Sequence, residues 1–593
     1  MLKNSYAHAG TATNRSPRGQ QRPACRLMLE PLEDRCLLSA PPTIPFGPLP
    51  AVTIGLTPQQ VNHADAVINW NATMLQAIKN AATPPTLTSR VEAMVGVAVY
   101  DAVDGIHPIY DFYAVPGLSS RPAPDASREA AAIAAADTVL NSLYPAQQTM
   151  FDAEYQATLA QVHGGEPKTD GIAWGQTVGN AVLAWRSQDG SNATSNYQPA
   201  PPGGTPGVYE LTPNAGLEGK PPGFLPALTP QWGQVTPWAM TSAEQFLPPP
   251  PPPVDSPEYA AAFNDVKSLG DTNSTTRTQD EYDYAHFWAD VPGHSVTPPG
   301  HWDEIAEHVS LQRNLNLEQN AHLFALVNIG LADAAINCWD AKYIYNYWRP
   351  ITAIRDPRAS AINPATTSDP NWTPLWNTPN FPAYTSGHST FSGAASVILA
   401  SIFGPDTHFT NGSDDMPGYS RSFTSFAQAA DEAGESRVVG GIHFIFDNTA
   451  GLTAGREIGS YIAQNFLLPL ADDAAPPGAA TGTKAVSLAS VTSASTLSIP
   501  ALSTGVQISR DAGGYLGAGG LSGAVAAGRP NADGRVIFNR TAVFPDQTPM
   551  TNSILEATVS PGGLGAGHVL SNVPDAGIVD WLDMLTTGYA GIG

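Results

Sequence analysis

Cysteine is nearly absent from this chain, with three in 593 residues: Cys25, Cys36 and Cys338. Two of them fall in an N-terminal stretch patterned like a targeting element, which leaves Cys338 alone. Neither a disulfide framework nor a thiolate metal site can be built from that. Cys338 lies in an apolar helical run and reads as a buried, inert thiol. Positive charge is also scarce, with 28 Lys and Arg against 52 Asp and Glu and a net charge of −24. That balance excludes nucleic acid as a partner, because a phosphate backbone needs a basic face. Small anions stay open, since a few local cations outweigh a distant acidic surface. No uninterrupted apolar run reaches the ~18 residues needed to cross a bilayer, so a membrane-spanning enzyme is not expected. Nor is there β-alternation of any length before residue 470.

Proline and glycine, by contrast, are plentiful at 55 and 54 residues, which points to long loops. A chain of this length exceeds one ordinary core, so two or more packing units are expected. Residues 1–45 read as a targeting segment and linker. The stretch RLMLEPLEDRCLLSA (26–40) has charges interrupting its apolar positions, unlike an ordinary secretory core. It resembles an N-terminal sorting motif of the LEP…R-LLS type found in exported bacterial proteins, so a secreted or cell-envelope location is expected.

Residues 60–250 read as an N-terminal helical bundle, with the helical pattern itself over 60–190. Runs such as DAVINWNATMLQAIKNAA, RVEAMVGVAVYDAV and ASREAAAIAAADTVLNSLY carry apolar residues at three- and four-residue spacing. Two of these are Ala-rich, as closely packed helices tend to be. A Pro/Gly-rich segment ending in six prolines, 248–253, divides the chain. Helical signals resume over 255–468. The fold expected is therefore all-α, two four-helix bundles in tandem with the anion site in the second. Residues 471–593 begin as an Ala/Gly/Ser-rich linker and continue as a C-terminal extension, read as disordered in preference to a small β module.

Three segments of the second half carry chemistry. In WDAKYIYNYWRP, Lys342 and Arg349 are seven apart; on one continuous helix that is two turns, placing both cations on one face roughly 10 Å apart. Such a pair can bracket an oxyanion. In FPAYTSGHSTFSGAA, Ser386 is a natural N-cap, Gly387 lets backbone approach an anion, and His388 stands in the first turn of the helix, where it could move protons. In SRVVGGIHFIFDN, Arg437 adds a cation and Gly440 and Gly441 allow a bend that brings His443 round. Asp447, four further on, can hold the imidazole Nδ1–H and leave Nε2 free. Taken singly, each has an ordinary explanation: a solvated basic stripe, a capped helix with a surface histidine, a structural His–Asp pair.

In this order the segments match the signature shared by the vanadium-dependent haloperoxidases and the type 2 phosphatidic acid phosphatase superfamily. The one departure is Thr385, where the family usually has proline. The resemblance runs loosely over residues 60–468 and implies two four-helix bundles. It also implies vanadate as cofactor, with vanadium bonded to His443 and its oxygens held by Lys342, Arg349, Ser386, Gly387 and Arg437. His388 would be the acid–base group and Lys342 would polarise hydrogen peroxide, so that a halide, bromide or chloride, is oxidised in the presence of a small organic substrate. Read as an acid phosphatase, the same cradle makes His443 the nucleophile of a phosphohistidine and His388 the proton donor. A third reading is a secreted binding protein whose site is inactive. Trp339 and Phe381 match an aromatic pair flanking the halide in chloroperoxidase-like members, which favours the first reading. Asp290, in HFWADVPG, is mapped onto an acidic residue that pairs with the motif arginine.

Overall fold

A computed structural model describes residues 64–113, 115–213 and 225–470, and three strands in the C-terminal extension. The segment 1–45, read above as targeting and linker, lies outside the described residues. The described residues 64–470 fall in one compact unit and the three C-terminal strands in a second.

The first unit is built of helices joined by long loops. Helices α1 (Ala66–Asn80), α2 (Pro85–Asp104), α3 (Arg128–Leu143), α4 (Gln148–Leu159) and α5 (Glu166–Arg186) pack around one another. The Ala-rich α3 lies very close to α5: a Cβ added at Gly175 would stand 2.2 Å from the Ala131 carbonyl oxygen. After α6 (Pro257–Leu269) and α7 (Gln279–Phe287) come α8 (Thr297–Arg313) and α9 (Leu317–Tyr345). The short α10 (Pro350–Arg355) and α11 (Ala359–Ile362) follow, then α12 (Gly387–Phe403), α13 (Phe426–Val439) and α14 (Ile445–Asn465). The second bundle is α9, α12, α13 and α14, with α8 against it.

Helix α9 belongs to both bundles, packing on α2 and on α12. An Asn316–Gln319 capping box starts it, each side chain bonded to the other's backbone N–H at 2.9–3.0 Å. It is apolar all round, as a fully buried helix must be. Among the described residues it is the one helix long and apolar enough to cross a membrane, yet 94% of its most apolar stretch is covered by protein. Asp333, in its middle, accepts from the N–H groups of Trp238, Ala239 and Met240 at 2.7–2.9 Å, which pins the preceding loop across the bundle.

The six prolines do not merely separate two halves. They have no N–H to give, but their carbonyls accept from Tyr345, Tyr384 and Tyr347, so the run is strapped over the segments that carry Lys342 and Ser386. Two β features depart from the all-α expectation. A hairpin of β1 (Phe409–Gly412) and β2 (Ser420–Phe423) links α12 to α13. In the second unit, β3 (Val506–Arg510), β4 (Arg535–Asn539) and β5 (Ile554–Val559) form an antiparallel sheet in the order β3-β5-β4, where disorder had been the preferred reading.

The site is positioned by the close approach of α12 and α14. A Cβ at Gly455 would meet the Thr390 carbonyl oxygen at 2.1 Å, and one at Gly451 the Ser386 carbonyl oxygen at 2.8 Å. Helix propensity alone would make Gly455→Ala stabilising by about 1 kcal/mol. The contact reverses the sign: G455A is expected to lose about 1–3 kcal/mol through overpacking, read from the urea midpoint. A raised midpoint would mean that the two helices do not meet at this distance.

Candidate functional site

Each of the three motifs hydrogen-bonds to the next. Lys342, near the end of α9 and fully buried, donates from Nζ to the carbonyls of Pro382 and Ala383, both at 3.1 Å, and to that of Thr385. Arg349 donates from Nε to the Phe381 carbonyl at 2.8 Å and from Nη1 to the Ile442 carbonyl at 2.7 Å. Nη1 also lies 3.0 Å from His443 Nε2. The Ser386 N–H donates to the Asp447 carbonyl at 3.0 Å, tying the start of α12 to the start of α14.

One expectation about this geometry is corrected. Lys342 and Arg349 do not share a continuous helix: α9 stops at Asn346, which takes the left-handed conformation (φ 49°, ψ 43°), and Arg349 is the N-cap of α10. Asparagine tolerates that conformation better than most residues, so the break is a local property of the sequence. The guanidinium returns to the same pocket by a different route.

Ser386 caps α12, its Oγ accepting from Ser389 N–H at 3.4 Å, which leaves the hydroxyl proton available. Gly387 and His388 hold the first two helical positions, whose N–H groups have no carbonyl partner within a helix. A Cβ at Gly387 would lie 3.5 Å from the Trp339 indole. Gly441 takes φ 78°, turning the chain out of α13 so that His443 faces the pocket. There, Asp447 Oδ2 accepts from His443 Nδ1 at 2.9 Å and from Phe444 N–H at 3.0 Å. The tautomer this fixes leaves Nε2 as a bare acceptor toward the cations.

Trp339 and Phe381 form a tilted pair with ring centroids 5.1 Å apart. Lys342 Nζ lies 4.9 Å from the Phe381 ring centre and 5.6 Å from that of Trp339. Arg437, in the last turn of α13, donates from Nη1 to the Trp288 carbonyl at 2.8 Å. Asp290 makes no direct salt bridge to Arg437, the arginine it was mapped to, although its charge acts on that guanidinium. Its Oδ1 meets His301 Nδ1 at 2.9 Å and its Oδ2 lies 3.4 Å from His388 Nε2. Arg437 Nη1 is instead taken by the carbonyls of Trp288 and Ala289. His301 was not anticipated; it stands eleven residues from Asp290 across a loop, a spacing that signals nothing.

The electrostatics are those of crowded positive charge. Burial pushes Lys342 down to about 8 and Arg349 and Arg437 each to about 10, with the guanidinium of Arg349 adding to the effect on the other two. Burial, then Arg349, Lys342, Arg437 and His388, hold His443 well below the usual histidine range. Burial also raises Asp447 to about 7, against the pull of Lys342 and Arg349. His388 falls to about 4 through burial and Arg437, which together outweigh Asp290.

The profile of the VCPO second helical-bundle domain matches residues 322–469, which hold all three motifs. The vanadium chloroperoxidase of Curvularia inaequalis is 26% identical over 418 residues, covering 58% of this chain and 66% of that protein. Over residues 322–469, and in its fold, the chain resembles the vanadium haloperoxidases. A crystal structure described as the first bacterial vanadium-dependent iodoperoxidase superposes with a TM-score of 0.59 at 29% identity, covering 70% of this chain and 98% of that one. The apo form of a bacterial vanadium-dependent chloroperoxidase, at 15% identity, shares the fold with a TM-score of 0.54 over 64% of this chain and 92% of its own.

Vanadate, the cofactor that the haloperoxidase family implies, fits the residues present. Arg349 Nη2 and Arg437 Nε are buried and donate to nothing in the protein. Buried donors of this kind require a partner, and cations that depress one another are relieved by an anion. Thr385 does not disturb the cradle: its carbonyl accepts from Lys342, and its hydroxyl donates to Cys338 Sγ at 3.4 Å.

Proposed function

We propose that this chain is a vanadium-dependent haloperoxidase that converts hydrogen peroxide, halide and a proton into hypohalous acid and water. The observation that carries the reading is His443 Nε2, held by Asp447 as a bare acceptor inside a ring of buried cations, beside an aromatic pair. Arg349 Nη2, Arg437 Nε, the Ser386 hydroxyl and the Gly387 N–H would hold the oxygens of vanadate, and His443 Nε2 would take the metal. When bound, vanadate supplies Lewis acidity that activates peroxide without a change in its own oxidation state. Lys342 stabilises negative charge on the peroxide oxygens from a site that solvent does not reach. His388, neutral at rest, accepts the peroxide proton on its imidazole, and Asp290 Oδ2, 3.4 Å from Nε2, stabilises the ring once it is charged. Trp339 and Phe381 offer an apolar wall suited to a weakly hydrated halide and poorly suited to a charged phosphoester.

The test is a pair of assays on one purified sample, each with and without vanadate: peroxide-dependent halogenation of a dione dye with iodide, bromide and chloride, and nitrophenyl phosphate hydrolysis. Halogenation that requires vanadate is expected, and the three halides rank its preference. Phosphate release suppressed by vanadate, without halogenation, would make the chain an acid phosphatase and reduce Trp339 and Phe381 to packing residues.

A further inference from the structure

Behind His388 stands a second buried histidine that the chemistry above does not use. His301, in the first turns of α8, is 2% exposed, and its Nδ1 lies 2.9 Å from Asp290 Oδ1. The other oxygen of the same carboxylate faces His388 Nε2 at 3.4 Å, a contact too open to count as a closed hydrogen bond. Asp290 therefore stands between two imidazoles, one at the pocket and one behind it. It is held there in the left-handed conformation (φ 52°), with the next residue anchored by Val291 N–H donating to Asp415 Oδ2 at 3.2 Å. The His301 ring packs on Trp288 at 4.6 Å, and the Trp288 carbonyl is the one that receives Arg437. The second histidine is thus fixed to the same frame as the cradle.

The charges facing these rings come from several elements. His301 faces Asp290, Glu304 on its own helix, and Asp414 from the β1–β2 connection, which Lys79 of α1 holds at 2.9 Å. Asp415 faces Asp290, and His294 faces Asp415. His388 faces Arg437 from α13 and Asp290 in front, and His443 with its neighbours Arg349 and Lys342 across the pocket. Burial disfavours a charge on His301, but Asp290, Glu304 and Asp414 outweigh it and push that ring up to about 9. Burial pushes Asp290 the other way, yet His301, with His388, holds its carboxyl well below the usual range. An imidazolium on one side of a carboxylate cancels much of its pull on a proton on the other side.

We propose that His301 is a positioning residue which, through the shared Asp290 carboxylate, sets the proton affinity of His388 and keeps that ring neutral until peroxide arrives. Its consequence for turnover rests on the peroxidase reading above; the coupling itself rests on the three-residue geometry. A merely structural histidine would lower stability when replaced and leave His388 where it is.

The test uses the full chain without vanadate, its histidine rings isotopically labelled and His388 assigned by the signal lost in His388→Ala. His301→Gln keeps a donor to Asp290 and removes the charge, so the His388 midpoint is expected to rise by about one pH unit, a tenfold gain in proton affinity. An unchanged or lowered midpoint in H301Q overturns the proposal. Should H301Q not fold, Asp290→Asn carries the test: both His301 and His388 midpoints must fall, and a His388 midpoint that stays put overturns the coupling. In the vanadate-loaded chain, H301Q is expected to move the acidic limb of kcat/KM for peroxide upward by the same interval, with vanadate affinity little changed. If the wild-type chain oxidises no halide, the peroxidase reading fails, while the coupling still stands or falls on the titration.

Discussion

Alanine in place of His443 is expected to abolish vanadate retention, weakening it by well over about 100-fold. The benchmark is the outer shell: losing only the partner that orients a metal-bound histidine costs about 10–100-fold in affinity. That partner here is Asp447, so Asp447→Asn should fall inside the range and H443A beyond it. The imidazole is 3% exposed and wedged between Asp447 at 2.9 Å and Arg349 at 3.0 Å, and no other neutral nitrogen stands in that position. Its removal also has a structural cost. Asp447 Oδ2 keeps only the Phe444 N–H, and its Oδ1 already has no partner, so about 1–3 kcal/mol of stability is lost as well. Equilibrium dialysis with metal analysis, beside a melting curve of the same sample, separates the two effects. A folded H443A chain that holds vanadate like the wild type would move the anchor from the histidine to the cations and sink the assignment.

The reach of the sequence differs from element to element, for physical reasons. The helices with a strong apolar period were legible nearly to their ends: α1 begins one residue inside the run that marks it, and α12 directly after its expected cap, Ser386. Helix α13 was not, because FAQAADEAGESRVV is small and acidic, with little apolar period to detect. Its burial comes from Phe426, three alanines and two valines against neighbours distant in sequence. The β1–β2 hairpin is four residues a strand, too short for alternation to show. The end of α9 was missed for the opposite reason. The apolar pattern runs on into Tyr347 and Trp348, which are buried in another cluster, and only the backbone at Asn346 marks the stop.

At the site, the sequence carried the residue types and their order, because an oxyanion demands cations, a helix start and a histidine, and such residues are few in so acidic a chain. It could not carry what depends on three-dimensional return. The proline run as a strap, His301 behind Asp290, and the three backbone carbonyls around Lys342 all join residues that are distant in sequence or carry no side-chain signal. Those carbonyls matter for function. They absorb the three donors of a lysine ammonium, so its approach to the anion requires that at least one be released.

His388→Ala is expected to slow halide oxidation by about 10²–10⁴-fold while leaving vanadate bound, the loss typical of a missing acid–base group. The geometry supports this split between chemistry and binding. His388 makes no closed side-chain hydrogen bond that holds the cradle together, and its side chain is 14% exposed where Lys342 and Arg349 are fully buried. The sign of its pH dependence follows from its charge state. Burial and Arg437 lower the ring to about 4, so it is neutral at pH 7 and able to accept a proton. Activity limited by that acceptance falls as the pH drops through the His388 midpoint, because the protonated ring has no site left. The acidic limb of kcat/KM reports the free enzyme. It should therefore be present in the wild type and absent from H388A, whose residual rate would be set by the cradle alone. Steady-state rates across the acidic range, on samples checked for equal vanadate content, make the measurement. An H388A chain with undiminished turnover, or one that keeps the same acidic limb, would remove His388 from the proton transfer and leave Asp290 as the group to examine.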